Sequence, residues 1–356
     1  MSYLLKPSQL RTVLMAAIKM REPVVIKGKP GIGKTQITQQ VAAALGYDVI
    51  LSHPALDDPT DGKGLPWFNG KTGGAQLVPF GQLAKVLVAN HPTVWFLDDF
   101  GQAPDAVQKT YMQWLHGGEC AGHVIPDAVS IVIATNDRTH RAGVGGMLEP
   151  VKSRTTIVEL VEDLGEWSEW LFSQTEIEGV PLSVDLVAET VAFLRSFPDH
   201  FCKFAPSADL TNSPLPRGWA KSLKWLAAGL PKQEEVAALA GVVGEGPALE
   251  RVAFREMYRN IPTIDAILLS PETAIIPDSP SILYAVARGL ASRANDQTAG
   301  RLATYAGRLV SAEKGEFATL LIRDAIRLHP KVQETPEFVR LTTSEFSDLL
   351  GLGSRE

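Results

Sequence analysis

A chain of 356 residues with 45% hydrophobic and 21% charged side chains has the composition of a folded globular protein, and its length suits one α/β domain with a helical companion. The net charge of −6 gives no general attraction to phosphate backbones, so nucleic-acid binding would need a local basic patch. Cys120 and Cys202 stand far apart and outside any metal-ligand spacing, which excludes a disulfide framework or standard zinc site and fits a reducing cytoplasm. Residues 1–15 lack an unbroken apolar run followed by a small-residue cleavage site. No window reaches the roughly 20 apolar residues of a membrane span.

In chain order, residues 8–20 alternate polar and apolar positions at helical spacing, and residues 23–27 read as a short buried strand. A glycine loop follows at once. Residues 35–45 then read as a helix stopped at Gly46, which suits the left-handed position past a helix end. Short apolar runs at residues 48–51, 93–97, 130–134 and 156–160, mostly separated by helical segments, predict a parallel α/β sheet covered on both faces.

From residue 164 onward the pattern turns helical, with helices expected at 183–196, 217–228, 234–243, 279–294 and 300–328. Ser279-Pro280 forms an N-cap and first-turn pair. Residues 244–247 (Gly-Glu-Gly-Pro) read as a loop. The expected organisation is an α/β core over 1–163, a helical lid over 164–230 and a helical extension over 231–356.

Residues 28–35, Gly28-Lys29-Pro30-Gly31-Ile32-Gly33-Lys34-Thr35, match the pattern G-x-x-x-x-G-K-S/T at every fixed position, between a predicted strand and a predicted helix. Glycines let the backbone wrap so that its N–H groups face a phosphate, and the helix N-terminus adds partial positive charge. The residues expected to hold ATP are Gly28, Pro30, Gly31, Ile32, Gly33, Lys34, Thr35 and Gln36. Lys34 would neutralise the β and γ oxygens, and the Thr35 hydroxyl would ligate Mg²⁺. A dinucleotide fingerprint is not matched.

A second acidic motif, Trp95-Phe96-Leu97-Asp98-Asp99, ends an apolar strand in two carboxylates at the sheet edge that carries ligands in open α/β folds. Asp98 is placed to hold the metal, and Asp99 to orient or deprotonate an attacking water.

Together these segments resemble the AAA+ ATPases, in particular the MoxR and dynein-related branch, over roughly residues 1–230. The resemblance implies a P-loop core with an all-helical lid. It also implies ATP hydrolysis to ADP and phosphate with Mg²⁺, and a homo-oligomer, as a hexameric ring or helical assembly, that remodels a protein partner. Where that branch usually carries Glu, this chain has Asp99, one methylene shorter, which sets its carboxylate about 1.5 Å further from the water and can slow hydrolysis.

Asn136, in Ile133-Ala134-Thr135-Asn136, resembles sensor 1; a turn-forming Asn is the plainer alternative. Arg154, in the segment 148–154, resembles the arginine finger that reaches a neighbour's ATP, with Arg138 and Arg141 as weaker candidates; a surface cation paired with Glu159 or Glu162 is its alternative. Arg217, in Pro216-Arg217-Gly218-Trp219, resembles sensor 2. Residues 61–66 resemble the motif that follows the second strand, inside a connection, 51–80, long enough to suggest a function. The aromatics Trp67 and Phe68 before Asn69-Gly70 read as part of a hairpin, either gripping a partner in a central pore or packing the hairpin itself. His116, Glu119, Cys120 and His123 fit no standard metal spacing and read as a hairpin joining two elements.

Relatives of the MoxR branch often act with a von Willebrand A-type protein, whose metal-binding pattern is not fused here, so such a partner would be a separate chain. Two other functions compete: a nucleic-acid machine of helicase or replication-initiation type, disfavoured by the acidic balance, and a slowly hydrolysing, nucleotide-gated scaffold suggested by the Asp98-Asp99 pair.

Overall fold

The computed structural model describes residues 3–70, 73–136, 146–207, 209–258 and 260–343. The chain divides into two compact units, one running to Asp163 with residues 204–209, the other formed by residues 164–203 and those from 210 onward.

The first unit starts with β1 (Leu4–Leu5) and α1 (Pro7–Met20), whose Pro7 occupies a first-turn position where its missing N–H costs nothing. Helix α1 buries Leu10, Leu14, Ala17 and Ile18, one stripe of a helical surface. There follow β2 (Val24–Gly28), α2 (Lys34–Leu45) and β3 (Asp48–Ser52), with Gly46 in the left-handed conformation that closes α2. An antiparallel hairpin, β4 (Leu65–Asn69) and β5 (Gly74–Val78), interrupts the route to α3 (Gly81–Leu87).

Next come β6 (Thr93–Leu97), α4 (Asp105–Gly117), the short hairpin β7 (Glu119–Cys120) and β8 (His123–Val124), and β9 (Val129–Asn136). The unit closes with α5 (Glu149–Lys152) and β10 (Thr156–Leu160).

Six strands form one sheet in the order β1-β10-β2-β9-β6-β3, and every neighbouring pair is parallel. Successive side chains point to opposite faces. On one face Val25, Trp95, Leu97, Ile131 and Ile133 pack with Leu83, Val107, Tyr111 and Trp114 from α3 and α4. Their neighbours Val24, Ile26, Val94, Phe96 and Val132 are equally buried, so both faces are covered, as the unbroken apolar runs require. The chain leaves β2 through α2 for the edge strand β3, while β10 pairs on the other side of β2. The C-terminal end of β2 is thus a topological switch point, where an open parallel sheet leaves a crevice for ligands.

The second unit contains α6 (Leu164–Phe172), a two-stranded hairpin β11 (Glu176–Ile177) and β12 (Val180–Pro181), and α7 (Val184–Ser196), capped by the Ser183 hydroxyl, which accepts from Leu186 N at 3.1 Å. Eight helices follow among the described residues: α8 (Pro216–Ala227), α9 (Lys232–Val243), α10 (Glu245–Tyr258), α11 (Ile264–Leu269), α12 (Pro280–Ala291), α13 (Ala299–Ser311), α14 (Gly315–Leu328) and α15 (Pro336–Thr343). One apolar cluster gathers Phe193, Trp219, Leu223, Leu226, Leu239, Val243 and Val252. A second gathers Ile267, Val286, Leu302, Leu321 and Phe338.

Three sequence-based expectations are corrected here. The helix expected over 300–328 is two helices, because Glu313 turns left-handed (φ 61°) and Lys314 N returns to Leu309 O at 2.8 Å. Residues 245–247 are not a loop: they form the first turn of α10, where Pro247 gives up no intrahelical bond, and Gly244 (φ 89°) alone makes the break. A division at residue 230 falls inside a packed core, since Leu223 and Leu226 share one cluster with Leu239 and Val243.

Candidate functional site

The glycine loop joins β2 to α2. Gly28 is fixed by crowding: a Cβ there would meet Leu160 O at 2.8 Å and the Ile32 side chain at 2.8 Å. Gly31 (φ 69°) and Gly33 (φ 101°) hold the left-handed backbone that a side chain disfavours, and Gly33 sits at the N-terminus of α2. Ile32 is buried and anchors the loop from below, Pro30 and Gly31 are half-buried at its turn, and Gln36 is exposed on the first turn of α2.

Five of the expected side chains converge at the C-terminal ends of β2, β6 and β9. Lys34 is only 6% exposed. Its Nζ donates to Gly28 O (3.1 Å), Lys29 O (2.9 Å) and Asn136 Oδ1 (2.8 Å). Asn136 pairs in register with Gly28 across β9 and β2, and its Nδ2 donates to Asp99 Oδ1 at 3.1 Å. The Thr35 hydroxyl donates to Asp98 Oδ2 at 2.7 Å, while Asp98 Oδ1 accepts from Asp99 N at 2.9 Å. Lysine, asparagine, threonine and both carboxylates therefore form one bonded constellation.

Such a set suits its expected ligands. A hydroxyl beside a carboxylate is an oxygen pair for a hard divalent cation, and a buried ammonium beside a glycine loop at a helix N-terminus is a seat for phosphate. Asp99 lies in the left-handed region (φ 52°, ψ 31°), which Asp tolerates better than most residues. Backbone held in a sparsely populated region is common where a side chain must be aimed. Lys29 Nζ meets Glu162 at 2.5 Å, tying the loop to the chain just after β10.

Within the same unit, Arg154 stands apart from this constellation. Arg154 is half-buried after α5, and its guanidinium donates to Pro150 O (2.6 Å) and His116 Nδ1 (3.1 Å). It does not pair with Glu159 or Glu162, which bind Lys27 and Lys29. Arg217 is exposed in the first turn of α8, in the second unit. Arg138 and Arg141 lie outside the described residues.

His116, Cys120 and His123 have separate partners, with Cys120 Sγ on Gln113 Oε1 (2.8 Å) and His123 Nε2 at Leu77 O (2.9 Å). Burial pushes the Cys120 thiol pKa up, away from the reactive thiolate.

Two features escaped the sequence reading. The connection between β3 and β4 is pinned to α4: the Tyr111 hydroxyl donates to Asp57, and Trp114 Nε1 donates to Gly62 O at 2.7 Å. Burial raises the Asp57 pKa and also that of Tyr111. Gln108, fully buried on the apolar face of α4, donates from Nε2 to Ala103 O (3.0 Å) and Gly146 O (2.8 Å) and accepts from Leu148 N (3.0 Å). The sequence shows only a polar residue on the helical stripe shared by Val107, Tyr111, Trp114 and Leu115, not the backbone groups it meets.

The hairpin of β4 and β5 leaves Trp67 and Phe68 each 69% exposed. As adjacent strand residues they point to opposite faces. Neither is buried by packing the hairpin.

No family model matches this chain, and no curated protein matches it. Solved structures similar to it include the RuvB Holliday junction branch migration motor of Thermotoga maritima, at 15% identity and a TM-score of 0.41 over 80% of each chain. The NtrX protein of Brucella abortus in complex with ADP is similar at 14% identity and a TM-score of 0.40, over 92% of this chain and 67% of that one. A putative ATPase of Cytophaga hutchinsonii is similar at 12% identity and a TM-score of 0.35, over 72% of this chain and 89% of that one. Similarity this remote says nothing of function, which has to be read from the residues of the site. Among the described residues no helix is long and apolar enough to cross a membrane.

Proposed function

We propose that this chain is an ATPase of the AAA+ class, of the MoxR-like type, which assembles with copies of itself and remodels a protein partner in the cytoplasm. The observation that carries this reading is the convergence of Lys34, Thr35, Asp98, Asp99 and Asn136 on the glycine loop at the switch point of a parallel sheet. A strand order with β2 between β9 and β10, and a helical unit after Asp163, fit the same reading.

When bound, ATP supplies a γ-phosphoryl group for transfer to water, and Mg²⁺ neutralises its charge. The backbone N–H groups of residues 31–35 and the Lys34 ammonium bind the phosphates. Thr35 and Asp98 would hold the metal. Asp99 orients the attacking water and takes its proton, while Asn136 holds the Asp99 carboxylate in place through the 3.1 Å bond.

Arg154, carried just past α5, completes the site of the next subunit, because a guanidinium stabilises charge on the transferring group only once a neighbour brings it there. Arg217 serves as the second sensor. The exposed Trp67 and Phe68 support a gripping role for the β4–β5 hairpin. A separate von Willebrand A-type chain is the partner that the MoxR likeness implies.

One observation favours slow turnover within this scheme: Asp99 is short and already bonded to Asn136. Electron microscopy with and without a non-hydrolysable ATP analogue tests the assembly. Nucleotide-dependent rings or helical filaments are expected; a monomer in every nucleotide state would overturn the oligomeric motor.

A further inference from the structure

Helix α4 touches the arm that carries Arg154 at two places. At its far end His116 Nδ1 accepts from Arg154 Nε at 3.1 Å. Near its start, Gln108 spends all its hydrogen-bonding groups on two backbone segments: the acidic turn through Ala103 O, and the arm through Gly146 O and Leu148 N. The same two segments also meet directly, with Gly146 N donating to Gly101 O at 3.3 Å. Leu148 is the residue from which α5 starts, Val151 within α5 is fully buried in the same cluster as Val107 and Phe100, and Arg154 N returns to Val151 O at 3.2 Å.

A buried primary amide costs folding energy unless every group is paired. An apolar residue would fill this face of α4 more simply, beside Val107 and Tyr111. What the amide adds is direction: two donors and one acceptor fix the arm's backbone against the turn in one register, as a fully satisfied buried polar group does.

We infer that Gln108 is a positioning residue that locks the arm bearing Arg154 to the Asp98–Asp99 turn, so that the state of one subunit's nucleotide site sets where its own arginine stands against the next subunit. This inference rests on the proposed AAA+ reading and on Arg154 acting in trans. The lock is short: Asp99 O accepts from Gln102 N at 3.0 Å, Ala103 O follows, and Gln108 passes from there to residues 146 and 148. Gln108 is fully buried and bonds to backbone groups rather than to Lys34, Thr35, Asp98, Asp99 or Asn136, so its loss should spare the site in its own subunit.

Trans-complementation separates this role from a structural one. Gln108→Ala protein, assembled alone, is expected to keep its affinity for a fluorescent ADP analogue while turnover falls by roughly 100-fold, the cost of a displacement near 1 Å in a catalytic group. Co-assembly with excess Asp99→Asn subunits, which cannot hydrolyse but keep their arginine arm, should restore most of the lost turnover per Gln108→Ala subunit. Arg154→Ala serves as the reference and should behave in the same way.

If Arg154→Ala is rescued by mixing and Gln108→Ala is not, the positioning role is overturned while the AAA+ reading stands. Normal turnover in Gln108→Ala overturns it equally. Normal turnover in Arg154→Ala overturns the trans-acting arginine, and the inference with it. Should Gln108→Ala fail to fold by thermal melting, Gln108→Met enters the same assay, since it keeps most of the volume and removes the hydrogen bonds without burying a charge.

Discussion

Both units bury charged side chains, and they do so in opposite ways. In the first unit Lys34 is nearly buried, yet it donates to two backbone carbonyls and an amide, with no carboxylate among these acceptors. In the helical unit Arg288 (4% exposed) meets Asp324 (3%) at 2.6 Å, and the fully buried Arg251 meets Glu189 at 2.5 Å and Thr190 at 3.2 Å. Backbone and amide acceptors hold the Lys34 ammonium at the glycine loop, a placement that suits an anion's seat; a carboxylate partner closes the account locally and fixes helix packing. Burial of charge alone therefore does not mark a functional site; the identity of the partner does.

The largest effect that sharpens this contrast is expected at Arg154. Arg154→Ala should lower turnover by about 10³-fold, equivalent to about 4 kcal/mol of transition-state stabilisation, with nucleotide affinity unchanged in a direct binding assay. Next, Asp324→Ala should destabilise the helical unit by about 3 kcal/mol in chemical denaturation by leaving Arg288 buried without its closest carboxylate. Replacing both with apolar residues of similar volume should recover most of that loss. Recovery marks the pair as a packing device, whereas a ligand-binding role for Arg288 would show as no recovery in function.

A smaller effect is expected at Asp99. Asp99→Glu should leave ATP binding intact and keep or raise turnover, the gain being limited by the left-handed backbone that Asp99 occupies. A large loss of turnover in a folded protein would count against Asp99 as the water-positioning acid.

The smallest expected effect concerns Glu169. Burial pulls its pKa up, but the hydrogen bond from Arg327 and the charges of Arg288 and Arg327 bring it below the ordinary value of 4.5. Its stabilising contribution is present above that value and is lost as pH falls through the lowered folded value. Because the side chain is 42% exposed, the contribution stays under about 1 kcal/mol. Thermal melting of Glu169→Gln should differ from the parent near neutral pH and converge with it well below pH 4.5.

What could be read in advance depended on the range of the interactions. The glycine loop, its strand and its helix are local: crowding at Gly28, positive φ at Gly33 and the Gly46 stop are each set within a few residues or by one neighbouring strand. The meeting of Lys34, Thr35, Asp98, Asp99 and Asn136 was legible because parallel strands end on one edge. Gln108 was not, since its meaning rests on Gly146 and Leu148, some 40 residues away, and on the face of α4 it looks like a polar intruder.

In the helical unit local punctuation misled both ways. Glu245-Gly246-Pro247 reads as a loop although a helix's first turn tolerates both Gly and Pro. The break at Glu313 has a single glycine beside it, Gly315 at the start of α14, and is stabilised from outside, by Lys314 Nζ on Pro277 O at 3.0 Å. The exposure of Trp67 and Phe68 was undecidable from sequence, because two adjacent aromatics in a strand look the same packed or bare.

The central claim is that a buried, carbonyl-held ammonium is the seat of a triphosphate. Calorimetric titration of ATP with Mg²⁺ into the parent protein and into Lys34→Ala, with folding checked by melting, tests it most directly. The account predicts binding by the parent and its loss in the variant, with turnover lost alongside; equal affinity and equal turnover in the two proteins would contradict it.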